Sequence, residues 1–265
     1  MGMVELDAGW ARIALLPSAP YSADGASSAC VMGVALERQR GVHAVAGEAR
    51  RDFDAWPGEF ALAAPGVPMF SESGTGGEYL LVAVDAGVAP LVQGAPRRLF
   101  RGQKDAVALA RRLRRVLLSQ QPDAQQAAQL AAALLAHGAM LLDGASAGAP
   151  GGAAGHAAYD ADRPAHARVM DAIEQDLASP WPLEALAALA GMPLLRFLRS
   201  YTHATGMTPH AWITERRLQH ARRMLRSTNV PLAEIAAACG FAQQSHMGAL
   251  LKREVAHSPA QYRAR

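Results

Sequence analysis

An internal echo constrains this chain more than any other feature. PLEALAALAGM, residues 182–192, and PLAEIAAACGF, residues 231–241, match at Pro, Leu, Leu or Ile, Ala and Gly with a constant offset of 49. In each copy two branched aliphatics, Leu183 with Leu186 and Leu232 with Ile235, sit three apart on one helical face, and Ala187 or Ala236 is small where a crossing helix must approach. Gly191 or Gly240 then ends the helix, where a turn asks for a positive φ. This is helix-turn-helix grammar, written twice.

The helices expected next are LLRFLRSYTHAT from Leu194 and QQSHMGALLKREV from Gln243; the offset becomes 50, which pairs Phe197 with Met247 and Tyr201 with Leu251 as inward anchors. Each is followed by a hydroxyl-Pro pair, Thr208-Pro209 and Ser258-Pro259, an N-cap with Pro at the first helical position. The segment PHAWITERRLQHARRMLRST would then be a rigid connector, burying Leu218, Ala221 and Leu225 and exposing Arg216, Arg217, Arg222, Arg223 and Arg226.

Charge follows the same division. Residues 1–162 carry 13 Lys plus Arg against 16 Asp plus Glu, and residues 163–265 carry 13 against 7, so a net −3 half precedes a net +6 half. A polyanion partner for the second half, or simply a solvated basic surface, fits that asymmetry. Cys30 and Cys239 are far apart with no CxxC or CxxH neighbour, which suggests buried thiols in a reducing compartment and neither a disulfide framework nor a zinc finger. With no run of about 18 uncharged apolar residues and no basic region before an apolar stretch at the start, a soluble, uncleaved, cytoplasmic protein without a membrane partner is expected.

Residues 10–100 offer short β-compatible runs, WARIALL, ACVMGVAL, VHAV, EFALAA and YLLVAVD, punctuated by turn clusters such as WPGE, APGVP and SGTGGE. A small antiparallel sandwich or barrel is expected. Helical spacing takes over from Lys104 to Ser119 and from Asp123 to Leu142, with Leu130, Leu134 and Leu141 on one stripe. That hairpin can cover the sheet or meet a second copy of itself, and a homodimer is expected. DGASAGAPGGAAGHAAYDADRP, dense in Gly, Ala and Pro without apolar periodicity, reads as a linker.

GMTPHAWITERRLQHARRML, EIAAACGFAQQSHMGALLKR and SPAQYR together resemble the DNA-binding domain of the AraC/XylS transcription regulators, over about residues 168–263. The resemblance implies seven helices, two of which enter successive major grooves on one face of promoter DNA. Carried onto this chain, the first reading helix would present Leu194, Leu195, Arg196, Leu198 and Arg199, and the second Gln243, Gln244, Ser245, His246, Gly248 and Ala249, with Lys252 nearer the phosphates. Arg199 can pair bidentately with guanine O6 and N7, or grip a phosphate; the leucines can touch thymine methyls or pack inward; a Gln can pair with adenine. Met247, Ala249 and Ala256 depart from the family's usual aromatic, Arg and Gly, so the first unit is expected to supply more specificity.

FDAWPGEFALAAPGVPMFSES similarly resembles the cupin-type sensing domain found before the DNA-binding domain in many such regulators. A cupin metalloenzyme would need about three His and a carboxylate converging from neighbouring strands. Before His137 the chain has only His43, and Met69 stands after the PGVP turn where His is usual, so no metal, no cofactor and no enzyme is expected. Trp10, Trp56, Phe60 and Phe70 are candidate walls for a small-molecule effector, or ordinary core.

The expected fold class is α+β. Residues 1–102 form a cupin-like β-sandwich or barrel, 103–143 a dimerising helical hairpin and 144–163 a linker. Residues 164–265 form an all-α, homeodomain-like DNA-binding domain with helix-turn-helix units at 183–206 and 232–255. The function expected is an AraC-family transcriptional activator, responsive to a small molecule and able to engage RNA polymerase.

Overall fold

The computed structural model describes residues 2–85, 87, 96–146 and 153–264, in two compact units that divide after Ala153. The first unit holds ten strands among its described residues, β1(Val4–Asp7), β2(Ala11–Leu16), β3(Tyr21–Ala26), β4(Cys30–Ala35), β5(Gln39–Val45), β6(Arg51–Ala55), β7(Phe60–Ala63), β8(Pro68–Ser73), β9(Tyr79–Val84) and β10(Arg97–Phe100). They pair antiparallel into a six-stranded sheet ordered β1-β2-β9-β4-β7-β10 and a four-stranded sheet ordered β3-β8-β5-β6. The WPGE turn places a positive-φ Gly58 between β6 and β7, with Glu59 N–H donating to the Trp56 carbonyl at 3.0 Å.

The larger sheet has two different faces. One side, with Ile13, Leu15, Met32, Val34, Phe60, Leu62, Leu80 and Val82, is fully buried. It is covered by a helical hairpin, α1(Lys104–Leu117) and α2(Ala124–Ser146), whose Ala110, Leu113, Ala127, Leu130, Ala131 and Leu134 are buried in turn. At Gly138 the helix comes so close that an added Cβ would lie 3.3 Å from the Phe60 ring. Leu141, expected on the buried stripe, is only half-buried. The stretch 124–144 has the length and mean hydropathy, 1.2, of a membrane-spanning helix, but its most apolar face is spent on the sheet. Arg114 of α1 and Glu78 before β9 form an ion pair at 2.9 Å with both side chains almost fully buried. Desolvation offsets much of such a pair's attraction, so its main effect is to fix how α1 sits on the sheet.

The other side of the larger sheet carries Leu16, Val31, Leu81, Ala83 and Arg97, all half-buried. Tyr21, His43, Phe53, Met69 and Ser71 of the smaller sheet are half-buried too. Burial and then the Arg97 charge depress the His43 pKa.

The second unit has seven helices among its described residues: α3(Ala153–Gln175), α4(Leu183–Ala190), α5(Leu194–Thr205), α6(Pro209–Ser227), α7(Leu232–Ala238), α8(Gln244–Val255) and α9(Pro259–Arg263). The segment 144–163, expected as a linker, is therefore helical at both ends; residues 147–152 lie outside the described residues. Alanine explains the difference. It is the best helix former, and the stretch from Ala153 to Ala167 holds seven of them, enough for the helix to continue through Pro164.

Phe197, Tyr201, Trp212, Met247, Leu251 and Tyr262 are fully buried and anchor the helices to one core. Thr208 and Ser258 cap α6 and α9 as expected of hydroxyl-Pro pairs, the latter in a reciprocal capping box with Gln261. The arginines of α6 behave less uniformly than its sequence suggests. Arg223 and Arg226 are exposed. Arg222 is buried with its Nε donating to Tyr262 Oη at 3.0 Å, and Arg217 donates to the Leu177 and Ser179 carbonyls at 2.8 Å each. Arg216 reaches Glu174 at 3.4 Å. These three serve packing because long Arg stems can be buried wherever carbonyls or carboxylates meet the guanidinium.

Candidate nucleic-acid interface

Two short helices present the residues expected to read DNA. In α5, the buried side is Phe197, Ser200, Tyr201 and Ala204, spaced three or four apart, which turns Leu195, Arg196 and Arg199 to solvent. Leu195 is 68% exposed, unusual for a leucine and available to a thymine methyl; Leu194 and Leu198 are half-buried. In α8, Met247, Leu251 and Val255 are buried, leaving Gln244, Ser245, His246, Ala249 and Lys252 exposed, with Gly248 half-buried and Gln243 exposed at the N-cap. Of the expected residues, all but the half-buried Leu194, Leu198 and Gly248 are exposed.

Local chain chemistry sets these helices. Both α5 and α8 follow a tight turn from the helix before: Gly191 ends α4 at φ 68, and Gly240 follows α7 at φ 76. At Gly240 there is no room for a side chain, since an added Cβ would lie 2.8 Å from the Leu177 carbonyl oxygen. The α6 helix touches α5 on one side and α7 and α8 on the other, so it fixes one helix-turn-helix unit against the next.

The two exposed faces differ in charge. The α5 face has two arginines, of which Arg199 has no bonded partner among the described residues. Arg196 donates from Nη2 to Asp162 Oδ1 of α3 at 2.9 Å, and Ser200 Oγ donates to the other oxygen of the same carboxylate at 2.7 Å. His166 Nε2 lies 2.8 Å from that hydroxyl. Sequence reasoning missed Asp162 and His166, which fell in or beside the supposed linker. On α8 the outer face is polar but nearly uncharged before Lys252, and His246 lies edge-on to Phe241 with centroids 5.9 Å apart.

A helix-turn-helix domain family matches residues 186–265. The transcriptional regulator MtrA of Neisseria gonorrhoeae is 31% identical over 96 residues, 36% of this chain and 31% of its own length. The RCS-specific transcriptional activator RclR of Escherichia coli K12 is 34% identical over 103 residues, 38% of this chain and 36% of its own. The C-terminal unit is an AraC-type DNA-binding domain. The DNA-binding domain of AdpA, solved in complex with a target DNA, is 32% identical, covering 37% of this chain and 88% of that one, with a TM-score of 0.36. The chain spans about a third of the length of these curated relatives. Both relatives are named as transcription regulators.

The effector walls expected in the first unit do not line one space. Trp56 and Phe60 are 0% exposed, and Phe60 belongs to the sheet side under the hairpin. Phe70 pairs with Ala44 and Asp24, on the side of the small sheet opposite His43, and carries the Arg50 guanidinium 3.8 Å above its ring. Trp10 lies half-buried in the turn before β2. Trp56 and Phe60 went to cores because large aromatics bury the most area there. Among the described residues no group of three or more His, Cys, Asp and Glu could hold a metal.

Proposed function

We propose that this protein is a sequence-specific transcriptional activator that binds promoter DNA as a homodimer and responds to a small molecule held by its N-terminal unit. The observation that carries the reading is the pair of exposed reading faces, Leu195, Arg196 and Arg199 on α5 and Gln244, Ser245 and His246 on α8, each backed by buried anchors. Arginine and glutamine on such faces supply bidentate base readout, while Lys252 and the exposed Arg223 and Arg226 supply phosphate affinity. RclR, named an activator, supports the sign of regulation, and contact with RNA polymerase belongs to that reading.

Responsiveness is supported by the inner faces of the two sheets. The half-buried Tyr21, His43, Phe53 and Ser71 on one side and Leu81 and Arg97 on the other offer an aromatic and polar lining of the kind small-molecule sites use. Tyr21 Oη and Ser71 Oγ already share a hydrogen bond at 2.9 Å, and His43 stacks on Phe53 with centroids 5.2 Å apart. A cupin-type sensing role fits that lining. Dimerisation is supported by the outer side of α2, where Ala132, Ala133, Ala136 and Met140 are exposed and apolar.

Selection of bound fragments from sheared genomic DNA by the full-length protein tests the reading. Wild type should enrich a two-part motif, and Arg199→Ala should lose choice at one part with an effect larger than that of Gln244→Ala. Retention that is indifferent to sequence and vanishes with modest salt would reduce the basic unit to a polyanion tether.

A further inference from the structure

Behind the reading face of α5 stands a chain of three polar side chains that presentation of that face to DNA does not itself require. Asp162 is 9% exposed and His166 and Ser200 are 0% and 2% exposed, yet the guanidinium they lead to belongs to Arg196, whose side chain is 61% exposed. A hydroxyl has one proton, and Ser200 gives it to Asp162 Oδ2, so His166 Nε2–H must donate to Ser200 Oγ. Burial pushes the His166 pKa down to about 4, which keeps the ring neutral with its single proton available for that bond. Each group is thereby oriented by the one behind it. The ring sets the hydroxyl, the hydroxyl sets the carboxylate, and the carboxylate holds one corner of Arg196.

We propose that Asp162 is a positioning residue for base reading: it aims Arg196 at a base edge, guanine being the base whose O6 and N7 match a guanidinium fork, and keeps it from the phosphates. The proposal rests on α5 reading DNA. A half-exposed ion pair contributes little to stability, so the burial of this carboxylate is better explained by orientation. An arginine with one Nη2 bond to a fixed carboxylate loses rotamer freedom before DNA arrives and points its remaining N–H groups in one direction. The negative charge beside it also weakens its pull on phosphate. The second repeat has no such device: the residues at the positions of Arg196 and Ser200 are His246 and Leu250. This difference gives the first unit a rigid reader and the second a set of adaptable polar contacts.

The test is selection from randomised duplex DNA by full-length wild type, Asp162→Asn, Arg196→Ala and the double variant, followed by binding of each to the selected site over a range of salt. Asp162→Asn should lower discrimination at one base step by about tenfold, while non-specific affinity rises and the salt dependence steepens by up to about one phosphate. In the Arg196→Ala background the same substitution should change neither. Ser200→Ala, which frees one carboxylate oxygen and keeps the charge, should give a partial loss at the same step; it serves as the second probe should Asp162→Asn melt the domain, which circular dichroism will show. Discrimination unchanged in Asp162→Asn or in Ser200→Ala, or a loss that persists without Arg196, would overturn the assignment and leave DNA reading intact. A wild type that enriches no motif would overturn both.

Discussion

His166 should make the C-terminal unit sensitive to acid. Its ring is fully buried, and burial outweighs the nearby Asp162 carboxylate in setting a pKa of about 4 against an ordinary value of 6.5. Between those values the unfolded chain binds the proton and the folded chain does not, so stability rises with pH across the window and is lost as pH falls through it. The expected loss from pH 7 to pH 4 is on the order of 3 kcal/mol. Denaturant unfolding of wild type and His166→Gln at a series of pH values checks this: the variant should show a flatter dependence, and parallel curves would count against it. The same residue shows what stays hidden in sequence. Asp162 and Arg196 are 34 positions apart and Asp162 and Ser200 are 38 apart, so no local pattern pairs them. Arg196, Arg199 and the Gln243 to His246 set came from the resemblance to the AraC/XylS regulators, whereas helical periodicity gave only the buried anchors, Phe197 with Tyr201 and Met247 with Leu251.

At the level of elements, the helix-turn-helix units were the most legible part because their signals are local and repeated: apolar spacing, a Gly turn, a hydroxyl-Pro cap. Strands such as β3, YSADGA, and β6, RDFDA, carry no such signal. They belong to the smaller sheet, which buries little of either face, so their pairing comes from partners far along the chain. The end of α8 invites a direct check. Ala256 takes φ 60, a left-handed conformation that suits Gly, where α5 ends with Gly206 at φ 69. Ala256→Gly should stabilise the unit by about 1 kcal/mol because it removes the Cβ strain, even after the added chain entropy. A thermal melt reads this as a midpoint a few degrees higher; an unchanged or lower midpoint would show that the turn carries no strain.

The whole molecule has two units of different character: a sheet pair capped by a helical hairpin, and an AraC-type domain with two helix-turn-helix units. The hairpin's inner side is committed to the sheet and the exposed side of α2 carries Ala132, Ala133, Ala136 and Met140, which leads to a definite expectation about assembly. Full-length protein should sediment as a dimer and Ala136→Glu as a monomer, since a buried unpaired carboxylate in that contact is costly. A wild type that stays monomeric at every concentration would assign the α2 surface another use. We infer that α5 and α8 read DNA together, and hydroxyl-radical footprinting of the full-length protein on a selected fragment decides it. Two protected segments about one helical turn apart on one face of the duplex are expected, with Arg199→Ala erasing protection at one of them. A single protected segment, or even protection along the fragment, would contradict the claim.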